Sequence, residues 1–185
     1  MLVDYNEVIP GKLWVGAFCS PSDSKQLHRM GITTVVSLQT DVDLKSGGIS
    51  LKKLVKSLAE ADIDLVRVPL ADFNEQALSK ELSACVETLE LLMAPGWAKV
   101  YLHCTAGVQR SPTVAAAYLM KSRGWPAQKA YGYLVERRNC QPYRSMLEQY
   151  ARVLTTSTQE AWTKAYRLSC CEPISDPQEA STKNI

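Results

Sequence analysis

Four short stretches of this chain have strand character, the second of them apolar and β-branched, and most of the sequence between them carries the spacing of amphipathic helices. The stretches are KLWVGA (12–17), ITTVVSL (32–38), DLVRVPL (64–70) and AKVYLH (98–103). Short apolar runs of this kind read as buried strands. Between the first two, Ser22 or Asp23 can cap a helix that Gly31 ends. After the second, QTDVDLKSGG (39–48) reads as a loop, and Leu51, Leu54, Val55 and Leu58 then mark a helix. ADFNEQAL (71–78) reads as a loop, followed by a helix on Leu82, Val86, Leu89 and Met93 that APG ends. Alternation of this kind predicts an α/β fold with a mainly parallel central sheet flanked by helices. Beyond Arg110 the pattern becomes three helices, SPTVAAAYLMKSRG, PAQKAYGYLVERR and RSMLEQYARVL. One domain is expected over 1–156, and 157–185 reads as a polar tail with a short helix around Trp162 and Tyr166.

The whole chain of 185 residues is enough for one sizeable core. Its net charge of +2 is too small to argue for nucleic acid or an anionic membrane as partner. No apolar run approaches the roughly 18 residues of a membrane span. The six cysteines show no metal-ligand spacing and only His28 and His103 are available beside them, so no metal or other cofactor is expected. The cysteines point to a reducing, intracellular compartment, cytoplasmic, or a plastid if a transit peptide has been removed. A monomer is expected.

The stretch YLHCTAGVQRSPTV (101–114) carries the chemistry. Cys104 stands where a buried strand ends and a helix begins. Helix N-termini present unpaired N–H groups and partial positive charge. A loop of small residues there can turn successive amides inward as an anion-binding nest. Thr105, Ala106, Gly107, Val108, Gln109 and Arg110 are the predicted phosphate-binding residues, with Arg110 adding a planar fork of donors suited to phosphate. The same field favours the thiolate form of Cys104. Nucleophile, cradle and cation together suit phosphoryl transfer through a phosphocysteine. Ser111 is placed to hydrogen-bond the sulfur and help it leave.

HCTAGVQRSP matches the signature loop of the cysteine-based protein tyrosine phosphatase superfamily, and RSPTVAAAYLM resembles the segment that follows it in dual-specificity phosphatases. The likeness covers roughly residues 5–155. HCTAG, SLQTDVDL (37–44), ADF (71–73) and RRNCQP (137–142) also resemble segments of the plant starch-excess phosphatases and laforin, the glucan phosphatases of that family. The resemblance implies a dual-specificity enzyme acting on a phosphorylated protein, with a phosphoglucan as the alternative substrate. Ser46 and Gly47 stand where the starch enzymes place sugar-stacking aromatics, which ranks the phosphoglucan second.

A phosphate monoester needs a proton donor for its leaving group. Asp72, after a strand and 32 residues before Cys104, stands where the family places that acid. Phe73 is the neighbouring candidate for substrate contact. The resemblance gives His103 the role of ordering the loop. Two other classes stay open: a phosphate-binding pseudophosphatase scaffold, and a rhodanese-type sulfur carrier, which the pairing of Asp72 with the HCxxxxxR loop disfavours.

Overall fold

The computed structural model describes the backbone of residues 4–71 and 75–169, and the side-chain surroundings of 4–71 and 81–156. In chain order the elements are β1 (Tyr5–Ile9), β2 (Leu13–Gly16), α1 (Ser24–Arg29), β3 (Thr34–Ser37), α2 (Asp41–Ser46), α3 (Leu51–Ala59), β4 (Asp64–Arg67), α4 (Glu75–Met93), β5 (Val100–His103), α5 (Arg110–Arg123), α6 (Ala127–Arg137) and α7 (Arg144–Ser169). The sheet order is β1-β2-β5-β3-β4. β2, β5, β3 and β4 run parallel, and β1 is antiparallel to β2. The α/β architecture with a mainly parallel sheet is as the sequence predicts.

Register explains where a site can form. Gly16 pairs with His103, His103 with Ser37, and Ser37 with Arg67. The four parallel strands therefore end in one row, and the segments leaving them emerge on one edge, the usual place for a site in an open α/β sheet. Each parallel strand is short, so the sheet is anchored by its faces. Trp14, Val35 and Tyr101 pack with Leu27, Leu54, Leu58 and Ile63. Leu54 and Leu58 are the apolar stripe expected for α3, whose N-cap Ser50 accepts from the Lys53 amide. Burying one such leucine contributes about 1.5–3 kcal/mol. Leu82, Val86, Leu89 and Met93 of α4 are buried as their spacing requires. α5 packs between α4 and α6 and against β2 and β5.

Three local expectations are corrected. Residues 41–46 form α2, where the sequence suggests a loop. Thr40 and Asp43 make a reciprocal capping box: the Thr40 hydroxyl accepts from the Asp43 amide, and the Asp43 carboxylate accepts from the Thr40 amide. The cap starts a helix that the polar composition hides. Residues 5–9, given no element from sequence, form β1; YNEVI is only half-buried and alternates weakly, so its pairing with β2 decides the matter. The third helix and the expected short one around Trp162 and Tyr166 are a single element, α7. The chain divides into two units after Ala151. α7 starts in the first unit, and its backbone from Arg152 to Ser169 belongs to the second. No helix among the described residues is long and apolar enough to cross a membrane.

Candidate active site

The segment after β5 can be understood by asking where its carbonyls go. The Cys104 carbonyl accepts from His103 Nδ1 at 3.0 Å. The Thr105 carbonyl accepts from the Phe18 amide at 3.1 Å. The Gly107 carbonyl accepts from Arg138 Nε at 2.7 Å, and that of Val108 from the Gln141 amide at 2.8 Å. The Gln109 carbonyl accepts from the amide and hydroxyl of Thr113, at 3.0 and 2.8 Å. The carbonyls are tied to the surrounding scaffold, and every peptide bond here is trans. A trans peptide points its C=O and N–H in opposite directions. The amides of Thr105, Ala106, Val108, Gln109 and Arg110 are thereby turned away from the scaffold, towards the bowl of the loop. Gly107 completes it: its amide donates to Cys104 Sγ at 3.2 Å. An arrangement of this kind suits an anion-binding nest.

Gly107 has φ +68°, a conformation that favours glycine, and a Cβ there would run into the Gly16 backbone and Arg138 Nη2. Gly16 is needed for the same close approach. A Cβ on it would strike the Asp4 carbonyl and the Tyr101 hydroxyl.

Cys104 lies at the floor of the loop, 3% exposed. Ser111 Oγ, in the first turn of α5, is 3.4 Å from Cys104 Sγ and 3.4 Å from the Gly16 carbonyl. His103 is fully buried and stacks on Tyr101. Burial pushes its pKa down to about 4, with the Arg110 charge adding to the effect and the Cys104 carbonyl opposing it. The ring is neutral, donates through Nδ1 to the loop, and holds Nε2 4.0 Å from Cys19 Sγ. Burial pushes the Cys19 thiol up to about 12, so it stays protonated. The ring braces the loop; a base role would need it to face the reacting centre.

Arg110 is 1% exposed. Its Nη1 donates to Asp43 Oδ2 at 2.9 Å and to the Leu70 carbonyl at 2.8 Å. Its Nη2 donates to Asp43 Oδ1 at 3.3 Å and to Thr105 Oγ1 at 3.0 Å. Burial alone would raise the Asp43 pKa, but hydrogen bonds from Arg110 and Thr40 outweigh it and hold the carboxyl at about 2. Gln39 Nε2 donates to Thr105 Oγ1 at 3.3 Å. At the loop's other side Tyr143 donates its hydroxyl to Gln109 Oε1 at 3.3 Å.

The predicted residues His103, Cys104, Thr105, Ala106, Gly107, Val108, Gln109, Arg110 and Ser111 thus come together in one loop and the turn that follows it. Asp72 and Phe73 lie outside the described residues; the chain leading to them reaches the site at Leu70, through its bond to Arg110. Two contributors escaped the sequence reading. Asp43 was legible only as half of a T-x-x-D capping box. Arg138 is buried at 4% exposure and also pairs with Asp4 at 2.9 Å and Asn6 at 2.9 Å. A long-range contact of this kind has no local signature.

Comparison with known proteins agrees with this geometry. Residues 13–153 match the family described as "Dual specificity phosphatase, catalytic domain". The amyloplastic phosphoglucan phosphatase DSP4 of Castanea sativa is 28% identical over 156 residues, 83% of this chain and 41% of that protein. The dual specificity protein phosphatase Mpk3 of Drosophila melanogaster is 30% identical over 71% of this chain and 29% of its own length. The human protein phosphatase Slingshot homolog 1 is 25% identical over 95% of this chain and 16% of its own. The chain spans less than half the length of these relatives. Among solved structures, PTPMT1 superposes with a TM-score of 0.70 at 19% identity, over 84% of this chain and 99% of that one, which is a likeness of fold. DUSP15 superposes at 0.62 with 26% identity, over 80% of this chain and 86% of that one. With more than half of its length matched to the family and its fold shared, this chain belongs to the dual-specificity phosphatases.

Proposed function

We propose that the protein is a cysteine-dependent phosphatase that hydrolyses phosphomonoesters through a phosphocysteine on Cys104. The observation that carries this reading is the position of Cys104 Sγ at the floor of its loop, with the Gly107 amide and Ser111 Oγ on the sulfur and Arg110 bonded to Thr105 of the same loop. In the first step the Cys104 thiolate attacks phosphorus, an S–P bond forms, and the P–O bond to the alcohol breaks. Arg110 and the loop amides hold the oxygens on which charge is concentrated. Asp72 gives its proton to the departing oxygen. In the second step water attacks phosphorus, its proton goes to Asp72, and the S–P bond breaks, with the Ser111 hydroxyl donating to the emerging thiolate. The positive charge the reaction needs comes from Arg110 and the end of α5.

The preferred substrate is a phosphorylated tyrosine, serine or threonine of a protein. A phosphoglucan is the second reading, favoured by the likeness to a phosphoglucan phosphatase over 83% of this chain. Phe18, 39% exposed and joined through its amide to the Thr105 carbonyl, is an aromatic beside the loop on which a sugar could stack. We propose that it acts inside the cell, in the cytosol or, by analogy with its amyloplastic and chloroplastic relatives, in a plastid. It is read as acting alone, as a monomer.

The test is release of phosphate from an aryl phosphate, a phosphopeptide panel and solubilised phosphorylated starch, side by side. Activity on the aryl phosphate that Cys104→Ser abolishes supports the proposal. Binding of phosphate without turnover on any of the three would make the protein a pseudophosphatase scaffold. A specificity constant for starch well above that of the best peptide would reverse the substrate order.

A further inference from the structure

We infer that Asp43 is a positioning residue for phosphoryl transfer: its carboxylate fixes the plane and direction of the Arg110 guanidinium above the Cys104 loop. The inference rests on the phosphatase reading and concerns a residue on α2, far from the signature loop in sequence.

A long arginine side chain has many rotamers, and a phosphate cradle needs one of them. Both Asp43 oxygens engage the fork, Oδ2 on Nη1 and Oδ1 on Nη2. Two parallel bonds to a planar group define its plane as well as its place. The carboxylate is itself held. Oδ2 accepts from the Thr40 amide and hydroxyl at 2.8 Å each, and Oδ1 from the Thr105 hydroxyl at 3.2 Å. The capping box of α2 thus carries its rigidity, through one side chain, into the active site.

The partners of Arg110 also differ in kind. Asp43 is charged, Leu70 offers a backbone carbonyl, and Thr105 a neutral hydroxyl. The Thr105 hydroxyl is the weakest partner and the one on the loop itself. An incoming phosphate oxygen takes its place at Nη2 while the carboxylate keeps its hold on the guanidinium. Asp43 could act in the opposite way, as a counter-charge that competes with phosphate for the arginine. The two roles differ in sign: loss of a positioning carboxylate weakens oxyanion binding, and loss of a competing one strengthens it. Thr40 and Thr105 fix the Asp43 carboxylate in place against the guanidinium, which favours the positioning role.

The experiment compares Asp43→Asn with Asp41→Asn. Asp41, in the same first turn of α2, is exposed and pairs with Arg67 at 2.7 Å, so its substitution removes the same charge from the helix and leaves the Arg110 bonds whole. Aryl phosphate turnover and direct calorimetric binding of orthovanadate are measured for both variants and the parent. Asp43→Asn is expected to lower kcat/KM by roughly 10- to 100-fold, the scale for misplacing a catalytic group, and to weaken vanadate binding at least several-fold. Asp41→Asn is expected to lose no more than about threefold in either, as an exposed ion pair contributes little. Equal losses in the two variants, or vanadate binding that is unchanged or tighter in Asp43→Asn, would overturn the inference. An inactive parent that still binds vanadate would instead overturn the phosphatase reading, and the binding comparison would still decide the role of Asp43.

Discussion

Arg138 Nε donates to the Gly107 carbonyl at 2.7 Å, joining the end of α6 to the middle of the Cys104 loop. Arg138 is buried, and its other nitrogens are spent on Asp4 and Asn6 next to and within β1. The edge strand, the helix after the site and the loop therefore share one guanidinium. Replacing it with methionine would leave the Gly107 carbonyl without its donor. Arg138→Met should destabilise the fold by about 2–3 kcal/mol, the range for losing bonds to a charged group. It should also lower kcat/KM at least tenfold, because the loop amides lose their aim. Chemical denaturation and steady-state kinetics check the two parts separately.

Gly107→Ala attacks the same contact from the other side. The added methyl meets both the Gly16 backbone and Arg138 Nη2, and φ +68° disfavours any side chain. The expected cost is at least about 2 kcal/mol of stability. Turnover should fall by roughly 100-fold, because one donor of the oxyanion cradle is misplaced. Gly48→Ala, also at positive φ but with open space around its Cβ, should cost only about 1 kcal/mol. Similar losses at the two glycines would show that backbone conformation alone, and not the crowded floor of the loop, is responsible.

Stability should fall with acidity in two windows. His103 has its pKa lowered from 6.5 to about 4, so as pH drops the unfolded chain takes up the proton first. Its contribution is complete above about pH 6.5 and is lost as pH falls towards 4; the linkage amounts to a few kcal/mol, on the order of 3. Asp43, lowered from 3.8 to about 2, contributes stability that is complete above about pH 4 and lost towards pH 2. With solvent screening that amounts to about 1–2 kcal/mol. Unfolding free energies measured from pH 8 to 3 should show the upper window in the parent. His103→Asn, which has no proton to gain, should lack it. A slope unchanged in the variant would assign the window to another group.

Asp72→Asn should reduce turnover of an alkyl phosphate far more than that of an activated aryl phosphate, by a ratio of roughly 10–100, the scale of general acid catalysis. A good leaving group departs without a proton and so needs the acid little. Equal losses on the two substrates would remove Asp72 from that role.

Much of this was legible because the chemistry is local. HCTAGVQRSP places a nucleophile, small loop residues and an arginine within one strand-to-helix turn, and the structure brings them together. The parallel strands were legible because β3 and β5 are buried along their whole length and so read as continuous apolar runs. β1 was not, since half-exposed YNEVI is a strand only because β2 lies beside it. α2 was hidden by its polar residues, although Thr40 and Asp43 announced its cap. Asp43 and Arg138 share one difficulty: each acts through a partner far away in sequence, and only the folded sheet edge brings them to the loop.

The fate of Cys104 during turnover tests the phosphocysteine reaction most directly. The protein would be mixed with an aryl phosphate, quenched in acid within milliseconds, digested, and the peptide containing residues 101–110 examined by mass spectrometry. A phosphate adduct on Cys104 is expected during turnover. Cys104→Ser is expected to retain orthovanadate binding but to fall below about 1% of parental turnover, a loss of at least roughly 10² or about 2.7 kcal/mol in the barrier. Turnover by Cys104→Ser above that level, with no adduct on the parental peptide, would contradict that reaction.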